Sequence, residues 1–91
     1  MSERTEITKI CSELAELFEY KNEKYNNTAS NPIHIFSRLT PEEGIKVRID
    51  DKLSRVVNSS ELRKNDTVDL IGYLVRLCIE KGWTDYKELY D

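Results

Sequence analysis

"DTVDLIGYLVRLCIEK", residues 66–81, decides the fold. At about 100° per residue, Val68, Leu70, Ile71, Leu74, Val75, Leu77, Cys78 and Ile79 cover half the circumference of a helix or more. An apolar arc that wide is more than one neighbouring helix covers. The segment therefore reads as the central helix of a bundle, or as one that buries part of itself against another subunit. Its polar residues fall on one narrow line: Asp66, Asp69, Tyr73, Arg76 and Glu80. Gly82 follows directly and supplies a helix C-terminal stop.

Upstream, Thr40, Pro41, Glu42 and Glu43 form a helix start: a capping hydroxyl, a proline at the first position, and acids in the first turn. This second helix runs to about Val57, with Ile45, Ile49, Leu53 and Val56 on one stripe. Gly44, Arg48, Asp51 and Arg55 form another stripe a quarter-turn away. Lys52 lies between the two, and Asp50 points elsewhere. The connector "NSSELRKN" offers Ser59, Ser60 or Asn65 as caps for the helix at 66–81. Residues 3–23 give a first amphipathic helix, with Ile7, Ile10, Cys11, Leu14, Leu17 and Phe18 at helical spacing and Ser2 or Thr5 as its cap. Continued past Phe18, its apolar face would carry Lys21 and Tyr25. Residues 26–40 read as a loop, tucked onto the body by Ile33, Ile35 and Phe36. Thr84 caps a last helical turn carrying Tyr86 and Leu89, with Trp83 as an anchor. No strand-like alternation of any length occurs. The expectation is one all-α domain over residues 1–91, a small helical bundle of three main helices and a short C-terminal helical turn.

Composition narrows the function. The chain has 91 residues, 38% hydrophobic and 34% charged, with a net charge of −3. No apolar run approaches the roughly 18 residues of a membrane span, and the first ten residues lack a signal-peptide core. A cytoplasmic location is expected, with Cys11 and Cys78 as buried, reduced thiols. One histidine, His34, and no closely spaced cysteine pair argue against zinc. Residues 1–23 carry six acids and three bases, residues 24–64 eight bases and five acids, and residues 65–91 six acids and three bases. A mildly basic middle between acidic ends does not resemble a duplex-DNA binder, which shows a strong basic face. A small anionic ligand fits better. Lysine, arginine and asparagine amides suit phosphate oxygens, and Tyr25, Tyr73 or Phe36 could stack on a base. Asp51, Asp66 and Asp69 are hard oxygen donors that could hold Mg²⁺ against a polyphosphate. The alternative is that these stripes are ordinary salt-bridge ladders on solvated helix faces.

Three short blocks, "KNEKYNN", "RIDDKLSR" and "NDTVDLIGYLV", spread over about residues 20–80, resemble the nucleotide modification associated domain 1 type of small phage and bacterial proteins. That group is in turn similar to the all-α nucleoside triphosphate pyrophosphohydrolases of the MazG and dimeric dUTPase kind, which bind Mg²⁺ through two acidic pairs on successive helices and are normally oligomeric. The resemblance implies ligand-binding roles for Lys21, Asn22, Tyr25, Lys52, Arg55 and Tyr73, and places Asp66 and Asp69 at the second acidic pair. At the first pair's spacing stand Arg48 and Asp51, so a base replaces one acid. Three functions follow as expectations: an oligomeric nucleotide- or cyclic-nucleotide-binding protein, in a phage a sponge for a host defence signal; a Mg²⁺-dependent nucleotide pyrophosphohydrolase; or a structural helical module.

Overall fold

A computed structural model describes residues 2–24 and 39–91. Three α-helices follow in order: α1 (Glu3–Lys24), α2 (Pro41–Asn58) and α3 (Lys64–Lys81), then a 3₁₀ turn at Lys87–Leu89. The protein is a small all-α bundle, and no strand occurs among the described residues. The expected loop over 26–40 falls almost wholly outside them, as do Tyr25, Ile33, His34, Ile35 and Phe36.

The ends of the helices follow local chemistry. Ser2 Oγ accepts from Thr5 N–H at 3.3 Å, so Ser2 caps α1. Thr40 Oγ1 accepts from Glu43 N–H at 3.2 Å and donates to the Glu43 carboxylate at 3.0 Å. That satisfies one amide of the first turn of α2. Gly82 is left-handed, at φ 73°. Its N–H donates to Ile79 O, and Trp83 N–H to Cys78 O, which is the paired hydrogen-bond pattern that ends a helix on glycine. The start of α3 differs from expectation. It begins two residues earlier, at Lys64, with Arg63 at the cap position and no side-chain cap. Ser59 instead closes α2, its hydroxyl donating to Arg55 O.

The short connector between α2 and α3 turns them into an antiparallel pair. Glu42 near the start of α2 meets Lys81 at the end of α3 at 3.4 Å, and Lys52 further along α2 meets Asp69 near the start of α3. Ile45 is the one fully buried hydrophobic side chain among the described residues, at 1% exposure. Helix α1 rests on α3 where glycine permits. A Cβ on Gly72 would lie 3.1 Å from Phe18 Cε1, so the phenyl ring packs on bare backbone.

Two expectations are corrected here. Cys11 is exposed and Cys78 half-buried, because the other described residues do not fully cover the apolar faces that carry them. Trp83 is exposed rather than an anchor, with Lys81 Nζ 5.8 Å from its ring centre.

Candidate functional site

The polar line of α3 faces inward. Asp66 is 6% exposed, and Asp69, Tyr73 and Arg76 are half-buried, while Leu74, Val75 and Ile79 are exposed. Asp69 joins all three helices. It takes Lys52 Nζ from α2 at 3.0 Å and Lys21 Nζ from α1 at 3.4 Å. Burial pushes its carboxyl up, but the two lysines outweigh burial and hold it below the ordinary carboxylate value. Asp66, in the first turn of α3 where the helix dipole favours an acid, has Lys52 Nζ at 4.0 Å. Lys52, 14% exposed at its side chain, thus lies between two carboxylates.

Beside this cluster a groove of about 640 Å³ opens between α1 and α3, with one residue of α2 at its rim. Its lining is apolar at Ala15, Phe18, Gly72, Val75 and Ile79, and polar at Glu19, Lys21, Asn22, Arg48, Asp69, Tyr73 and Arg76. Arg48 Cζ lies 6.0 Å from the centre of the Tyr73 ring, at the reach of a cation–π contact. Arg76 Nη2 donates to Asn22 Oδ1.

Of the residues singled out in the sequence, Lys21, Asn22, Arg48, Asp69 and Tyr73 therefore meet in one groove. Lys52 is not on the groove wall; it is held by Asp66 and Asp69. Arg55 lies on the exposed side of α2, paired with Asp51 at 3.7 Å. The expected three-acid metal set is not assembled. Asp51 is committed to that exposed pair, and Asp66 and Asp69 face lysine. Among the described residues no group of three or more carboxylate, histidine or cysteine side chains could hold a metal ion. Arg76 also lines the groove; the sequence pattern gives it no ligand role, although it shares the helix line of Asp69 and Tyr73.

No helix among the described residues is long and apolar enough to cross a membrane. Comparison with protein-family models, curated proteins and solved structures finds no match.

Proposed function

We propose that the groove between α1 and α3 binds a nucleotide or cyclic nucleotide and holds it without hydrolysis. The observation that carries this reading is the meeting of three cations, Lys21, Arg48 and Arg76, with Tyr73 in a groove that also has an apolar lining. Guanidinium groups offer paired donors to phosphate oxygens. Tyr73 and Phe18 present rings for stacking, and an apolar lining with a few polar groups is the usual build of a small-ligand site. A volume of about 640 Å³ suits a ligand of nucleotide size. Binding without turnover is favoured because Asp66 and Asp69 are engaged by lysine and Asp51 stands apart. A protein that binds but does not convert a nucleotide acts as a sink for it, in keeping with the resemblance to small phage proteins.

The test is a nucleotide panel, linear and cyclic, with and without Mg²⁺, read by melting temperature and by product analysis. A ligand at about 100 times its Kd raises stability by about 2.7 kcal/mol. Stabilisation without product, lost in Arg48→Ala, is the expected result. Mg²⁺-dependent product formation abolished by Asp69→Asn supports hydrolysis instead. No shift with any nucleotide sinks the proposal.

A further inference from the structure

The groove is lined by charges of both signs. Lys21, Arg48 and Arg76 stand against Asp69 and Glu19, which leaves one net positive charge among the described residues of the lining. The row behind adds nothing to it. Lys52 faces Asp66 as well as Asp69, so its charge is offset by a carboxylate of its own. Asp69 is the central group. It lines the groove and holds Lys21 Nζ at 3.4 Å and Lys52 Nζ at 3.0 Å. Against the upward push of burial, the two lysines keep its carboxyl below the ordinary value, so it is ionised at neutral pH. A ligand phosphate that approaches Lys21 therefore meets a carboxylate as well as an ammonium.

We propose that the groove accepts a nucleotide with a single phosphate group, a monoester or a cyclic diester, and rejects the triphosphate, with Asp69 and Glu19 as the residues that set this limit. The proposal rests on the reading of the groove as a nucleotide site and names the class of nucleotide. It departs from the triphosphate specificity that the resemblance to pyrophosphohydrolases implies. At neutral pH a phosphomonoester carries close to two negative charges, and a diester about one. One net positive charge and the N–H donors of two guanidinium groups match either. Each further phosphate adds about one negative charge. In a groove of about 640 Å³ that charge stays within roughly a Debye length, about 10 Å at 0.1 M salt, of a carboxylate. Like charges set against the wrong ligand give discrimination that attraction to the right one does not.

Calorimetric titration of the full chain tests this, using the monophosphate, cyclic monophosphate and triphosphate of adenosine and of guanosine. Ionic strength is low and fixed, and a chelator is present so that no divalent cation offsets the phosphate charge. For a base that binds, a single-phosphate form should bind about tenfold tighter than the triphosphate, or more. Asp69→Asn should narrow that gap to about threefold or less, by strengthening the triphosphate more than the single-phosphate ligand. Glu19→Gln, at an exposed position of α1, should narrow it in the same direction. It decides the matter if circular dichroism shows that Asp69→Asn has lost helix content. A triphosphate bound as tightly as the single-phosphate ligands overturns the proposal and leaves the groove a nucleotide site. So does an unchanged gap in a variant that keeps its helix content. Absence of binding by every nucleotide overturns it together with the reading on which it rests.

Discussion

Lys52 of α2 places its ammonium 3.0 Å from the Asp69 carboxylate of α3, and the same nitrogen stands 4.0 Å from the buried Asp66. Lys21 of α1 reaches Asp69 as well. One carboxylate thus ties the three helices together beside the groove, in a chain whose described residues bury little apolar surface.

Removing that lysine leaves two shielded carboxylates without their shared cation. Breaking a buried pair from one side costs about 3–5 kcal/mol, and the partial exposure of Asp69 puts Lys52→Ala at the lower end. Urea unfolding followed by circular dichroism should show a loss of about 3 kcal/mol. A loss under about 1 kcal/mol would place the pair among ordinary surface contacts.

Acid should loosen the bundle through Asp69. Its folded pKa is lowered, so its contribution to stability is present above the ordinary carboxylate value of 3.8 and is lost as pH falls through the lowered folded value. Asp69→Asn removes that dependence. Unfolding free energy measured from pH 6 downward should fall less steeply below about pH 4 in the variant than in the wild type. Parallel curves would contradict the assignment.

Gly72 is a point of close approach. An added Cβ lies 3.1 Å from Phe18 Cε1, at the tip of a side chain that borders open groove. The ring can yield by a few tenths of an ångström, and alanine favours helix by about 1 kcal/mol. Gly72→Ala should therefore be neutral or slightly stabilising. Gly72→Val adds branches that displace the ring, with a cost of about 1–3 kcal/mol. Thermal unfolding of the two variants checks the contrast.

The ends of α1, α2 and α3 were legible to different degrees, for local reasons. Thr40 and Pro41 start a helix through their own hydroxyl and ring, and Gly82 ends one because it adopts positive φ freely. Arg63 caps α3 with no side-chain bond, which leaves no signal to read. The groove was half legible. Periodicity put Asp69, Tyr73 and Arg76 on one line, and that line faces α1 and α2. It also grouped Arg48 with Asp51 and Arg55, and the structure separates them: Arg48 reaches Tyr73 across to α3, while Asp51 and Arg55 stay on the exposed side of α2. The pairing of Lys52 with Asp66 and Asp69 depends on how two helices are set against each other, which no periodicity within one helix reports. Cys11 is exposed and Cys78 only half-buried because an apolar helix face need not be a face that the described residues cover.

Thr40→Ala tests the capping account. Loss of the hydroxyl removes the acceptor for Glu43 N–H, at a cost of about 1 kcal/mol. The same variant should leave ligand binding unchanged, because Thr40 is not on the groove wall.

The central claim is that an anionic nucleotide occupies the groove between α1 and α3. The most direct measurement is a titration of labelled protein with the nucleotide panel, followed through amide chemical shifts. The account predicts that a binding nucleotide moves the signals of Lys21, Asn22, Arg48, Tyr73 and Arg76 together, and that Arg48→Ala weakens the response. Shifts confined to other surfaces, or none with any nucleotide, would contradict it.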